Sequence, residues 1–167
     1  MLATLVDEPF HLLGWVYEEK YDGIRIIAEK DGSRVRLITR NLIDRTADFA
    51  EVAAAVAKLP APTLLLDGEV VVFDPKGISR FQLFGADTRR RPVYVVFDCL
   101  FARGRDLRAH PLAERRAVLE KEVRPAAAVA RLDHPALTRS SARRRAACRR
   151  GGRGRRGGAS GRRPSSP

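Results

Sequence analysis

Alternating apolar and polar residues predict that the first part of the chain folds into short β-strands. Residues 24–30 and 34–39 alternate in this way on either side of Asp31-Gly32, a pair that is typical of a tight hairpin turn. Three further strands are predicted from apolar or alternating runs, over residues 16–19, 63–73 and 93–101.

Apolar residues at helical spacing predict helices between these strands. Residues 49–59 carry apolar side chains on one face of a helix, and Asp48 and Glu51 have the spacing of a capping box. A charged helix is predicted at residues 111–123 and a short one at 79–84. Strands joined mainly by hairpins, with helices set between them, predict an α+β fold.

The charge of the chain is concentrated near one end. The sequence has 32 Lys+Arg, 20 Asp+Glu and a net charge of +12, yet residues 124–167 contain 13 Arg and one acidic residue, Asp133. Residues 1–123 are therefore neutral as a whole. The basic segment has no aromatic residue, so it cannot bury enough apolar surface to offset the entropy lost on ordering. We expect one domain at 1–123 followed by a disordered basic tail at 124–167.

Two interpretations of this tail are open. An arginine-rich arm holds nucleic acid by electrostatic attraction. Runs of Arg, Ala, Gly, Ser and Pro are also what a GC-rich gene yields when it is read out of frame, and the second interpretation fits the abrupt change in composition better.

The stretch Glu18-Glu19-Lys20-Tyr21-Asp22-Gly23-Ile24-Arg25 carries the most specific chemical signal. The chain has five Lys and 27 Arg, so a lysine among acidic neighbours suggests a task that arginine cannot perform. Lysine can lose its proton and attack an electrophile, whereas arginine effectively cannot. With an ordinary pKa only about 0.04% of lysine is neutral at pH 7, so a nucleophilic lysine needs burial or a neighbouring cation. The simpler alternative is an exposed charged turn between two strands.

The spacing Glu-x-Lys-x-Asp-Gly-x-Arg resembles motif I of the covalent nucleotidyltransferases, which include ATP-dependent DNA ligases, RNA ligases and mRNA capping enzymes. Three later segments resemble further motifs of that family in the same order: Thr39-Arg40-Asn41, residues 66–71 and residues 93–100. The opening residues, 1–15, are similar to the start of the ligase module of bacterial DNA ligase D. The resemblance covers residues 1–123, and the family's motifs IV and V do not follow.

The resemblance implies a role for each site residue. Lys20 is the nucleophile that takes AMP from ATP as a phosphoramidate. The other implied positions are Glu18 near the adenine, Arg25 at the ribose, Glu69 at a ribose hydroxyl or a metal-bound water, Phe97 stacked on the purine, and Arg40 on the 5′-phosphate of a DNA nick. Glu69 is also the candidate contact for magnesium. The simpler alternatives are a core phenylalanine at 97 and a solvated strand-end arginine at 40.

The implied function is that of an ATP-dependent DNA ligase with an antiparallel-sheet adenylation domain and with ATP and Mg²⁺ as cofactors. Lysyl-AMP forms with release of pyrophosphate, AMP passes to a 5′-phosphate, and the 3′-hydroxyl displaces it to seal the nick. The domain is expected to be incomplete and the activity impaired, because two motifs are missing. The alternatives are an RNA ligase, a capping-type guanylyltransferase, or a non-catalytic remnant that binds nucleic acid.

The expected partners are nicked or broken double-stranded DNA and proteins of non-homologous end joining, in DNA repair and recombination. We expect a monomer in the bacterial cytoplasm, associated with the nucleoid. No apolar run reaches 18 residues and no basic start precedes an apolar segment, so neither a membrane span nor a signal peptide is predicted.

Overall fold

A computed structural model describes residues 7–8, 18–85, 90–123 and 128–131 of the 167-residue chain. The strands are β1 (Ile24–Asp31), β2 (Arg34–Thr39), β3 (Thr63–Val71), β4 (Val93–Ala102), β5 (Arg105–Asp106) and β6 (Val129–Arg131). The α-helices are α1 (Ala50–Ala57) and α2 (Leu112–Glu122), and Phe81–Leu83 form a 3₁₀ turn.

The strands form one sheet in the order β2-β1-β3-β4-β5, with β6 also paired to β4. All neighbours are antiparallel except β6, which runs parallel to β4. The predicted α+β fold is confirmed, but the sheet is mixed rather than purely antiparallel.

The sheet also extends past the predicted domain boundary at residue 123, because Val129 pairs with Tyr94 and Arg131 with Val96. Of the predicted disordered tail at 124–167, residues 124–127 and 132–167 lie outside the described residues. So do residues 16 and 17 of the first predicted strand, whereas residues 18 and 19 lie in no strand.

The core lies on one face of the central strands. β-branched and aliphatic side chains of β1 and β3 point to this face at every second position, and α1 and α2 cover it with Val52, Val56 and Leu119. Tyr94 on β4 is fully buried, and the single hydrogen of its hydroxyl is shared between the carbonyl oxygens of Ile26 and Leu66, both at 3.0 Å. This phenol therefore ties β1, β3 and β4 together beneath the site described below.

Gly68 makes room for this tyrosine. A Cβ atom at position 68 would lie 2.6 Å from Cε2 of Tyr94 and 2.5 Å from the carbonyl oxygen of Val95. Real Cβ atoms do not come this close to their neighbours, so the Tyr94 ring can cross β3 only where β3 has no side chain.

Two helical predictions need correction. Helix α1 begins one residue later than predicted, and no side chain caps it. Asp48 pairs with Arg45 at 2.8 Å, and Glu51 pairs with Arg91. The two acidic residues therefore form ion pairs with arginines and do not form the predicted capping box. The helix predicted at 79–84 is reduced to the 3₁₀ turn. In the described part of the chain, no helix combines the length and apolarity needed to cross a membrane.

Candidate active site

The polar residues of the central strands meet on the sheet face opposite the main core. Arg25 on β1 pairs in register with Glu69 on β3, and Glu69 pairs with Val95 on β4. Two residues further along β4, the half-buried Phe97 packs against the small apolar cluster that contains Val71 and Val95. Side-chain alternation along three neighbouring strands thus brings together three residues that the sequence predicted to touch the nucleotide.

Arg25 is held by an aspartate that the sequence analysis did not single out. Its Nε and Nη2 donate to the two carboxylate oxygens of Asp67 at 3.0 and 2.6 Å, and the carboxylate is nearly buried. The guanidinium carbon lies 5.3 Å from the centroid of the Phe97 ring. The hydrogen bond to Asp67 raises the pKa of Arg25, which therefore stays charged. A forked ion pair and a cation–π contact together fix this cation over the ring.

Glu69 connects the sheet to motif I. Its Oε1 accepts a hydrogen bond from the backbone N–H of Gly23 at 2.9 Å. Burial raises the pKa of Glu69, while the Gly23 hydrogen bond and the positive charges of Lys20 and Arg25 oppose that rise. Glu69 therefore contacts the backbone of motif I three residues after Lys20. Lys20 itself is exposed, so burial does not supply the environment expected for a nucleophile.

The backbone that follows Lys20 lies directly on the sheet. A Cβ atom at Gly23 would lie 2.3 Å from the carbonyl oxygen of Val70, so no side chain fits between motif I and β3 at this point. Asp22 strengthens the attachment, since its N–H donates to Oγ of Ser79 at 2.9 Å and its Oδ2 accepts from the N–H of Phe81 at 3.0 Å. Motif I is thus positioned by β3 and by residues 79–81.

Glu18 and Arg40 both lie outside the strands. Glu18 is ion-paired with Arg116 of α2. Thr39 pairs in register with Ile26, so Arg40 leaves β2 beside the Arg25 end of β1. Arg40 is exposed, and no described residue forms an ion pair with it.

The turn after Arg40 is tightly closed. The N–H of Thr39 donates to the carbonyl of Ile43 at 2.9 Å, and the N–H of Leu42 donates to the carbonyl of Thr39 at 2.9 Å. Leu42 adopts a left-handed conformation with φ of 61°. Arg40 is therefore presented to solvent from a defined turn.

Acidic residues in the described ranges do not fit a resident magnesium ion. No group of three or more His, Cys, Asp or Glu comes together within those ranges. Both oxygens of Asp67 are taken by Arg25, and Oδ2 of Asp22 accepts a backbone N–H. Glu69 remains the one candidate contact named above, and a single carboxylate is less than Mg²⁺ needs without phosphate or water ligands.

The sequence profile of the ATP dependent DNA ligase domain matches residues 1–140. The chain belongs to this family. The resemblance seen in the four sequence motifs is thereby confirmed. The profile match also extends beyond residue 123, consistent with the sixth strand at Val129–Arg131.

Known relatives of this ligase domain family are much longer than the chain. The multifunctional non-homologous end joining protein LigD of Pseudomonas aeruginosa is 40% identical over 123 residues, which cover 71% of this chain and 14% of that protein. A probable DNA ligase of Beutenbergia cavernae is 42% identical over 116 residues, which cover 64% of this chain and 23% of that protein. The chain thus spans less than a quarter of either relative.

A solved structure shares the fold. The structure described as mycobacterial DNA ligase D complexed with ATP and MES matches with a TM-score of 0.55 and 33% identity. The match covers 62% of this chain and 35% of that chain. The predicted adenylation-domain fold is therefore confirmed by a structural neighbour as well as by sequence.

Replacing Glu69 by glutamine is expected to stabilise the fold while it removes a carboxylate from the site. Its pKa is raised above 4.5 by burial, so folding favours the protonated form. That contribution is present below the unfolded pKa and is lost as the pH rises through the folded pKa. Glu69→Gln imitates the protonated form, so at pH 7 it should unfold at a higher urea concentration than wild type, and the gap should close in acid.

The matched control is Glu29→Gln, which changes an exposed glutamate of β1. Urea denaturation at pH 7 and at pH 4 should show no comparable gain for this variant. If Glu69→Gln were destabilised at pH 7, the fold itself would need the charged carboxylate.

Proposed function

We propose that this chain is an adenylating ligase domain in which Lys20 attacks the α-phosphate of ATP. The bond from lysine nitrogen to phosphorus forms, the bond to the β-phosphate oxygen breaks, and pyrophosphate leaves. The observation that supports this most directly is the attachment of the Lys20 segment to Glu69 through Gly23, beside the Arg25–Phe97 pair. Membership of the ligase domain family supports the same chemistry.

Each neighbour of Lys20 has a part in this proposal. The purine stacks on the face of the Phe97 ring that Arg25 does not cover, and Glu18 lies near the adenine. Arg25 is fixed by Asp67 and supplies a positive charge that needs little reorganisation when a nucleotide binds. Glu69 anchors the backbone of Gly23 and contacts the ribose or a metal-bound water.

Magnesium enters this proposal as part of the substrate. Mg²⁺ is usually bound by one or two carboxylates together with substrate phosphates. We propose that it arrives with the triphosphate and that Glu69 is its nearest carboxylate on the protein, since Asp67 is already paired with Arg25.

Later steps of the proposal concern DNA. AMP passes from Lys20 to a 5′-phosphate, and the 3′-hydroxyl displaces AMP to close the nick. Arg40 stands exposed at the end of β2, and its guanidinium fork suits a phosphate. We propose nicked or broken double-stranded DNA as substrate and proteins of bacterial end joining as partners, with the chain acting as a cytoplasmic, nucleoid-associated monomer.

Covalent labelling tests the first step. The purified chain is incubated with α-³²P-ATP or α-³²P-GTP and then separated on a denaturing gel. A labelled band with ATP alone supports the ligase proposal, and a band with GTP supports a capping-type enzyme. Transfer of the label to nicked RNA in preference to nicked DNA would identify an RNA ligase. The absence of any band would leave a non-catalytic, nucleic-acid-binding domain.

Arg40→Ala is expected to separate the two chemical steps. Adenylation of Lys20 should stay within about twofold of wild type, while transfer of AMP to nicked DNA should fall at least about tenfold, because the lost contact is to a DNA phosphate. Arg34→Ala is the matched control, since Arg34 is exposed at the other end of β2. An equal loss in both steps would place Arg40 at the nucleotide or in the fold.

We propose that the 167-residue chain alone seals nicks very poorly or not at all. Its sequence has no lysine after Lys121 and no glutamate after Glu122, so it lacks the cations and the carboxylate that motifs IV and V supply in the family. Preorganised cations aimed at developing charge are worth several kcal/mol each in catalysis. Rapid multiple-turnover sealing by this chain would show that other residues replace them.

A further inference from the structure

Helix α2 carries a buried arginine that none of the sequence motifs includes. Arg116 is 4% exposed. Its Nη2 donates to Oε1 of Glu18, which lies two residues before Lys20 and 98 positions away from Arg116 in the sequence. The Nε of Arg116 is buried without a hydrogen-bond partner among the described residues.

Burial of the Arg116 guanidinium lowers the stability of the fold unless a nearby carboxylate compensates its charge. A charge removed from water destabilises the fold unless a carboxylate compensates it, and apolar residues of similar volume often stabilise such positions equally well or better. Glu120, one turn along α2, adds a favourable charge, and Glu18 supplies the carboxylate hydrogen bond. Stability alone therefore does not explain an arginine at position 116, whereas a need to hold Glu18 does.

The neighbouring arginine of the same helix binds the strand that carries Phe97. Arg115 donates from Nε and Nη2 to the two oxygens of Asp98 at 2.8 and 2.7 Å. Asp98 follows Phe97 directly on β4. Consecutive residues of α2 thus bind the strand that carries the proposed purine-stacking ring and the segment that carries the proposed adenine contact.

We infer that Arg116 is a positioning residue for nucleotide recognition: it fixes Glu18, and with it the start of motif I, at a set spacing from Phe97. This inference rests on the proposed function, in which Glu18 and Phe97 both contact the purine of ATP. Helix α2 then sets the distance between these two contacts.

Arg116→Met tests the inference, because methionine fills similar space without charge. The concentration of ATP that half-saturates lysyl-AMP formation should rise about tenfold, equivalent to about 1.4 kcal/mol of lost binding. The rate at saturating ATP should change less, because Arg116 does not touch the reacting atoms. Preference for ATP over GTP should fall in parallel.

Arg103→Met is the matched control. Arg103 pairs with the buried Glu122 of the same helix at 2.9 and 3.1 Å, so its loss also leaves a buried charge unpaired in α2. Its half-saturating ATP concentration should stay within about twofold of wild type even if its melting temperature falls. Equal shifts in the two variants would reduce Arg116 to a stabilising residue and overturn the inference.

Coupling between Glu18 and Arg116 provides the second test. If the arginine acts through Glu18, Arg116→Met should add little to the ATP defect of Glu18→Gln, whereas independent residues would give additive losses. Arg116→Lys, which keeps the charge but not the planar guanidinium that reaches Glu18, serves if the methionine variant fails to fold. Additive defects in these double variants would contradict the inference.

Hydrogen exchange separates failure of this inference from failure of the proposed function. Amides of residues 18–22 should exchange faster in Arg116→Met than in wild type or Arg103→Met, whether or not the chain is labelled by ATP. If the wild type showed this exchange pattern but no label from ATP, the ligase proposal would be wrong and the anchoring of motif I by Arg116 would still hold. Unchanged exchange at 18–22 would overturn the anchoring role itself.

Discussion

Lys20→Ala and Lys20→Arg are both expected to give no covalent label with ATP. Alanine has no amine, and the guanidinium of arginine stays protonated at any pH at which the protein is folded, so neither offers a nitrogen lone pair to phosphorus. The measurement is the labelled band on a denaturing gel after incubation with α-³²P-ATP. Both variants should keep the wild-type fold, because Lys20 is exposed.

Lys58→Arg is the control for the lysine substitutions. Lys58 is an exposed lysine at the end of α1, and its replacement should leave labelling unchanged. Labelling that survives in Lys20→Arg would place the nucleophile on another residue. In that case the convergence of Glu69, Arg25 and Phe97 around motif I would need a different explanation.

Asp67→Asn is expected to cause the next largest loss. The amide can accept from one nitrogen of Arg25 but cannot balance its charge, so the guanidinium loses the forked pair that holds it over Phe97. A misplacement of about 1 Å in a positioned group can cost about 10²-fold in rate, and we expect lysyl-AMP formation to fall by about that factor. Single-turnover labelling over a range of ATP concentrations measures it.

Glu122→Gln is the control for the aspartate substitution. It weakens a second forked arginine pair, to Arg103, in which the carboxylate is also buried. Its unfolding midpoint should fall as much as that of Asp67→Asn, while its labelling rate stays near wild type. Similar labelling rates in the two variants would mean that Asp67 contributes to the fold and not to the site.

Local patterns in the sequence were sufficient to predict the four longer strands of the sheet, β1 to β4. Alternation places Ile26 and Ala28 on one face of β1 and Arg25 on the other, and the structure has the same arrangement. The pairing of β1 with β2 could also be predicted, since Asp31-Gly32 does join the two strands. Both predictions depend only on residues that are close together in the sequence.

Partners that are distant in the chain could not be predicted in this way. Asp67 lies within a recognised motif, yet nothing in the sequence states that it binds Arg25, because that contact depends on the register of β1 against β3. Arg116 had no signal beyond being one charge in a charged helix. The parallel strand β6 was not predicted, because it has three residues and follows a run of alanines. Such a short segment shows no apolar–polar alternation that would indicate a strand.

The contacts of motif I also have a consequence for the order of folding. Gly23 meets Glu69, 46 residues later, and Glu18 meets Arg116, 98 residues later. Contacts between distant residues form slowly, because a long loop of chain loses entropy when it closes. On a translating ribosome, the nucleophile segment leaves first but gains its last anchor only after α2 has emerged. We therefore expect nascent chains that end before Arg116 to expose Lys20 without the geometry needed to use ATP.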